Sequence, residues 1–395
     1  MPVQTGLDQL LRTPALQQAC GQHIGYLCHN ASITATGEDG LSAIHRVFGP
    51  RLRAVFSPQH GLFGEAQDNM IESPHYIHPF FQIPVHSLYE ANRSPTPAML
   101  QGLDQVIVDL QDVGARPYTY IYTLQLMMEA CAKARIPVWV LDRPNPLGGI
   151  RVEGNLLDLE YRSFIGLSPL PARHGLTIGE FALLVNGATA TSCDLKVVAM
   201  TGWHRAMAFE KTELLWANPS PNMPALLTAQ VFPGMVFWEG TNWSEGRGTT
   251  RPFEVFGYPG FDPYQALPGL ESALLKSGLR GFRLRPIYFE PTFEKHAGER
   301  CGGYQLHLLN LQDFRPWQSG LCILQYLFHL PEARLRWRQP PFEYEYKLLP
   351  IDILNGSNEV RLWVENREPL KALRELELQG RSEYMKQRAA VLLYD

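Results

Sequence analysis

The chain has no C-x-x-C pair, no basic run and no apolar stretch near the roughly 20 residues a bilayer-spanning helix needs. Its six cysteines, Cys20, Cys28, Cys131, Cys193, Cys301 and Cys322, are scattered, several of them in apolar runs. That spacing argues against a zinc ribbon or a disulfide framework and reads as buried free thiols in a reducing compartment. The N-terminal stretch MPVQTGLDQLLRTPALQQ lacks a basic region followed by an apolar one, so no export signal is expected and the expected location is cytoplasmic. A net charge of −4 without an aromatic–basic stripe argues against nucleic acid as a partner. Phosphate loops are missing too. There is no G-x-x-x-x-G-K-[ST], and the first strand runs into HNAS rather than G-x-G-x-x-G, so no nucleotide cofactor is expected. Without G-x-S-x-G, an α/β-hydrolase serine is disfavoured. Without H-E-x-x-H or H-x-H, a metal site would have to draw on His60, His75, His78, His86, Asp109, Asp112 and His174, which read more simply as loop hydrogen-bonders.

What is present is an ordinary globular composition, 45% hydrophobic and 19% charged over 395 residues, enough for two domains. Short apolar runs predict strands at His23–Asn30, Arg53–Gly61, Ile83–Tyr89, Gln105–Gly114, Ile136–Pro146 and Asp194–Met200. Helices are predicted at Leu7–Cys20, Gly40–Phe48, Tyr122–Ala134 and Thr177–Gly187, the last with Thr177 and Glu180 at capping-box spacing. Apolar strands alternating with helices predict a parallel α/β sheet covered on both faces. Ligands of such sheets sit beyond the carboxyl ends of the strands, so HN, SPQHGLFGE, DLQDVGARPYTY and DRPNP should share one rim. ANPSPNMP (Ala217–Pro224) reads as a connector. After it come a helix at Asp262–Ser277, strands at Phe282–Glu290 and Gly303–Asn310, a helix at Leu321–Leu330 and an amphipathic helical tail, Pro369–Tyr394. The expected architecture is a parallel-sheet α/β domain, residues 1–224, and a smaller mixed α/β domain, residues 225–395.

The densest chemistry lies in FWEGTNWSEGRGTTRPFE, Phe237–Glu254. Glu239, Glu245 and Glu254 interleave there with Arg247 and Arg251, and glycines break any regular period. Such a loop suits a polar ligand. Carboxylates also crowd the strand ends: Glu65, Asp68, Asp109, Asp112, Asp142 and Glu153. Glycoside cleavage needs one carboxylic acid to protonate the leaving oxygen and a second group as nucleophile or base. Arg116, Arg143, Arg173 and Arg247 follow turns, where a guanidinium could grip a substrate carboxylate or hold a neighbouring acid.

Seven segments carry a resemblance: FSPQHGLFGEAQDNM, DLQDVGARPYTYIYTL, VLDRPNPLGG with VEGN, SFIGLSPLPARHGLTIGE, NPSPNMP, EGTNWSEGRGTTRPFE and PPFEYEYKLLPIDILNG. In this order, from about Gly25 to Gly356, they resemble the bacterial exo-β-N-acetylmuramidases of the NamZ type. The resemblance implies a Rossmann-like N-terminal domain, a smaller C-terminal α/β domain and a site in the cleft between them. It implies release of N-acetylmuramic acid from the non-reducing end of peptidoglycan fragments, a small saccharide partner, and no nucleotide or required metal. The expected catalytic residues are Glu65, Glu153, Glu239 and Glu245. The expected substrate contacts are Gln59, His60, Asp109, Asp112, Arg116, Tyr118, Arg143, Asn145, His174, Asn242, Arg247 and Thr249, with the Trp238 or Trp243 ring against the sugar. Arg116 or Arg247 would hold the lactyl carboxylate. The pattern departs at Gln59, where many relatives have Glu. A glutamine cannot exchange the proton of glycoside cleavage, so Glu65 or Asp68 would take over, or the activity differs. Two other classes stay open: a saccharide-binding protein without turnover, and a metal-dependent hydrolase.

Overall fold

The structure, a computed structural model, describes residues 2–67, 72–90, 93–188 and 192–395. In chain order the N-terminal half forms β1 (Ile24–Cys28), β2 (Leu52–Ser57), β3 (Tyr76–Ile77), β4 (Pro84–Ser87), β5 (Gln105–Asp109), β6 (Val138–Leu141), the separate pair β7 (Glu153–Leu156) and β8 (Pro171–Arg173), and β9 (Leu195–Val198). The main sheet runs β3-β4-β2-β1-β5-β6-β9, parallel throughout except for the antiparallel β3–β4 pair. Alternation explains the continuous apolar strands. Val106 and Val108 of β5 face one core with Tyr122 and Phe181, while Ile107 between them faces the other with Leu7, Ile44 and Phe48. The carboxyl ends of β1, β2, β4, β5 and β6 share one rim, as the run of polar strand ends predicts.

Two helices replace the one expected at Leu7–Cys20. Gly6–Arg12 ends at Thr13, and Pro14 opens Pro14–Ala19, because proline disfavours a helical residue before it and suits a first turn. The helix Ile178–Ala188 starts as expected. The Thr177 amide donates to Glu180 Oε2 at 2.9 Å, and the Glu180 amide donates to Thr177 Oγ1 at 3.2 Å.

The C-terminal half carries a smaller antiparallel sheet, β10 (Val255–Pro259), β11 (Phe282–Phe289) and β12 (Cys301–Leu308), in the order β10-β12-β11. Helices Leu226–Met235 and Pro316–Phe328 cross closely. A Cβ on Gly234 would lie 1.9 Å from the Pro316 carbonyl oxygen, so this approach requires glycine. The last helices, Leu370–Leu378 and Arg381–Ala389, pack back on the first half. Tyr384 donates to the His174 carbonyl at 2.6 Å, and Arg381 donates to the Val152 carbonyl at 2.8 Å. One apolar core runs from Leu27 to Tyr384 through both halves.

Arg116 is a polar staple in that core. It is fully buried, and donates to the carbonyls of Asn155 (2.8 Å), Leu170 (2.9 Å) and Leu354 (3.0 Å), the last from the C-terminal half. Burial pushes its pKa down to about 10, so it stays charged at neutral pH. These bonds correct the expectation that Arg116 holds a substrate carboxylate. Arg116→Ala should lower the unfolding free energy by about 3 kcal/mol or more, because three buried carbonyls lose their donor. Denaturant titration checks this, and a loss under about 1 kcal/mol would refute the staple.

Candidate active site

The loop that follows helix Leu226–Met235 is shaped around buried charge. Val236–Gly240 makes a short 3-10 turn that lays Glu239 along a cleft between the halves. Gly246 (φ 84°) and Gly248 (φ 79°) then take left-handed backbone, which turns Arg247 back toward it. Arg247 Nε and Nη2 donate to Glu239 Oε1 at 3.0 and 2.6 Å. On its other side Arg247 lies 3.5 Å from Glu245, which meets Lys295 Nζ at 2.7 Å. Lys295 also donates to the carbonyls of Trp238 (2.8 Å), Thr241 (3.1 Å) and Trp243 (2.8 Å), so the loop wraps around one ammonium. Burial alone would raise the Glu245 carboxyl, but Lys295 and then Arg247 outweigh it and hold it below the usual range. Arg247 Nη1 is buried without a protein partner. A buried unpaired donor is costly unless a ligand or water takes it.

The facing wall is the rim of the main sheet. The cleft is lined there by Gln59, His60, Tyr118–Tyr120, Ser220, Asn222 and Met223. His60, itself left-handed at φ 74°, closes the loop after β2: its Nδ1 lies 2.7 Å from the Ala66 carbonyl, and its own carbonyl accepts from the Ala66 amide at 3.2 Å. Burial first, and Arg247 second, lower its pKa to about 4. The ring is therefore neutral at physiological pH, with Nδ1–H on Ala66 and Nε2 left as an acceptor. Gln59 Oε1 accepts from the Thr119 hydroxyl at 2.8 Å, which leaves its amide NH2 as a donor.

A third element completes the cleft. Phe342 and Glu345 exchange backbone hydrogen bonds of 2.9 Å around Glu343 and Tyr344, which are both left-handed (φ 46° and 66°). Glu343 lines the cleft with Glu239, and its Oε2 accepts from the Tyr89 hydroxyl at 2.9 Å. Burial raises its pKa to about 7, with the Tyr89 bond opposing and the charge of Glu239 adding. The Tyr89 and Tyr344 rings also hold the Arg93 guanidinium, 4.2 and 4.1 Å from their centroids.

Of the residues expected from sequence, the cleft gathers Gln59, His60, Tyr118, Glu239 and Arg247, with Glu245 behind Arg247. The others lie elsewhere. Glu65 caps its own loop, accepting from the Phe63 amide at 3.0 Å. Glu153 pairs with Arg173 at 2.8 Å between β7 and β8, its carboxyl raised by burial and only partly offset by Arg173. Asp109 takes Arg143 in two bonds of 2.5 and 2.8 Å. Asp112 meets His174 at 3.1 Å, and Asn145 donates to the Leu176 carbonyl at 2.8 Å. Asn242 donates to the Arg334 carbonyl at 3.1 Å, and Thr249 to the Gly246 carbonyl at 2.6 Å. Trp238 and Trp243 are 0% exposed and stack with Phe256 and Tyr258, so neither ring offers a sugar face. Asp68 lies outside the described residues. The sequence reading passed over Glu343, although the motif PPFEYEYK contains it, and treated Ser220–Met223 as a mere connector.

A cleft with one carboxylate paired to a guanidinium and a second, buried carboxyl raised above its ordinary range carries the kinds of group that glycoside hydrolysis uses. The comparisons identify the family. Residues 24–227 match the family description "Exo-beta-N-acetylmuramidase NamZ, N-terminal", and residues 230–394 match its C-terminal counterpart. The chain is 40% identical over 365 residues to the peptidoglycan β-N-acetylmuramidase NamZ of Bacillus subtilis, covering 92% of this chain and 84% of that protein. Two crystal structures of DUF1343 family proteins from Bacteroides fragilis are similar over 100% of this chain and 99% of each of theirs, with TM-scores of 0.86 and 0.73 at 27% and 26% identity. The chain belongs to the NamZ family of exo-β-N-acetylmuramidases.

The ring environment makes one measurable claim. In a histidine NMR titration His60 should titrate with a midpoint near 4 rather than the ordinary 6.5. A midpoint above about 6 would mean that water or a counter-charge reaches the ring.

Proposed function

We propose that this protein releases N-acetylmuramic acid from the non-reducing end of peptidoglycan-derived fragments, with the cleft between Gln59–His60 and Glu239–Arg247 as its site. The observation that carries the reading is the Glu239–Arg247 pair, in which the buried Nη1 of Arg247 has no protein partner at the cleft. A lactyl carboxylate at Nη1 would satisfy the guanidinium, and it is the group that separates muramic acid from glucosamine. Glu239, fixed by Arg247, is the carboxylate we assign to the sugar's anomeric side. His60 Nε2 would accept from a ring hydroxyl, while the Gln59 amide and Tyr118 would donate. Glu245 acts behind them, through Arg247. The two walls come from either side of a division near Ala225. All six thiols are free, which supports a reducing, cytoplasmic setting and a role in recycling wall fragments. Cell fractionation that finds the protein outside the cytoplasm would remove that part.

A chromogenic β-N-acetylmuramide and the matching glucosaminide test the reading. The muramide should be cleaved and the glucosaminide not. Release from neither between acid and neutral pH would sink it. Glu239→Gln should lower kcat/KM on the muramide by about 100-fold or more while fragments still bind. A binding protein without turnover would show no difference between wild type and variant.

A further inference from the structure

We propose that Glu343 is the proton donor to the glycosidic oxygen. The inference rests on the glycosidase reading and adds a catalytic group outside the loop Phe237–Glu254 and outside the rim of the main sheet. Three observations support it.

The first is position. Glu343 lines the same cleft as Glu239, Arg247 and His60, and is 5% exposed. It approaches from a different segment, so a sugar between the walls would meet carboxyl groups from two directions.

The second is backbone. Glu343 and Tyr344 form the centre of the Phe342–Glu345 turn with positive φ at both positions, and neither is glycine, asparagine or aspartate. Left-handed backbone costs such residues roughly 1–2 kcal/mol each. A turn that needs no particular side chain would relieve this with Asn-Gly. Here the strained positions carry the side chains that build the site: the carboxyl of Glu343 toward the cleft, and the Tyr344 ring over Arg93.

The third is elimination among the described residues that line the cleft. Gln59 exchanges no proton. His60 is neutral until strongly acid pH, and the Tyr118 and Tyr120 phenols are raised far above neutrality. Glu239 is held as the partner of Arg247. Glu343 is the lining carboxyl that burial raises, to about 7, so it keeps its proton at mildly acid pH and can release it. The groups that face it are the Tyr89 hydroxyl, which donates to it, the carboxylate of Glu239, and the guanidinium groups of Arg247 and Arg93. Burial and Glu239 favour the acid, while Tyr89 and the two arginines favour the anion.

The step balances without another reagent. The C1–O bond breaks with its electron pair on the leaving oxygen, which takes the Glu343 proton and departs as a hydroxyl. Water supplies the new hydroxyl at C1, and its remaining proton restores the Glu343 acid, directly or through solvent.

Leaving groups provide the test. A dinitrophenolate departs without a proton, whereas a sugar hydroxyl does not. Wild type and Glu343→Gln are compared on 2,4-dinitrophenyl β-N-acetylmuramide and on a β-N-acetylmuramyl disaccharide. The variant should lose about 100- to 10,000-fold in kcat/KM on the disaccharide and under about 10-fold on the aryl substrate, and the fall in rate above neutral pH should vanish. Retained aryl activity also shows that the variant folds. Wild type that cleaves both, with a variant that loses both equally, overturns the assignment of Glu343 and leaves the glycosidase reading intact. Wild type that cleaves neither overturns both. Tyr89→Phe supplies a second readout. It removes a bond that favours the anion, so the alkaline limb of kcat/KM should move to higher pH. A limb that stays in place overturns the proposal.

Discussion

Four charges hold the active-site loop in place: the partly buried Lys295 and the buried Glu245, Arg247 and Glu239, in that order of contact. Taking any one of them out of water alone would cost several kcal/mol. Together they neutralise each other, and Lys295 adds bonds to three loop carbonyls. The loop has no periodic apolar face to pack by, so this network fixes its path. Glu254 ends it in the same way, with the Thr228 hydroxyl donating to it at 2.7 Å and Arg251 pairing at 3.1 Å.

The network also separates the two carboxyl groups of the cleft. Glu239 is bound to a guanidinium, while Glu343 has a neutral phenol as its hydrogen-bond partner and Glu239 as a neighbouring charge. Burial and that charge raise the Glu343 carboxyl, which is the condition for a carboxylic acid to donate a proton near neutral pH. The imidazole of His60 stays neutral beside them, because Arg247 adds to the effect of burial.

Much of the scaffold was legible in the sequence, because short apolar runs and capping signals act over a few residues. β5 reads as QVIVD, and Thr177–Glu180 forms the box its spacing announces. The loop Phe237–Glu254 was legible as a site through its composition. The other acids were not separable by eye. Asp109, Asp112 and Glu153 are as polar in sequence as Glu239, but each finds a partner 20 to 62 positions away, Arg143, His174 or Arg173. Such pairings exist only once the sheet has formed. Trp238 and Trp243 misled for the same reason: an aromatic ring looks alike in sequence whether it faces a sugar or a core. Glu343 was hidden because a turn with two left-handed, non-glycine residues has no local signature.

The staple at Arg116 and the returning helices have a bearing on how a ligand would enter. The two walls share one apolar core and are tied across it by backbone carbonyls, so neither can swing away without breaking buried bonds. The cleft is thus preorganised. A saccharide would dock into a fixed shape, and the entropy lost on binding would fall on its own rotors rather than on the polypeptide.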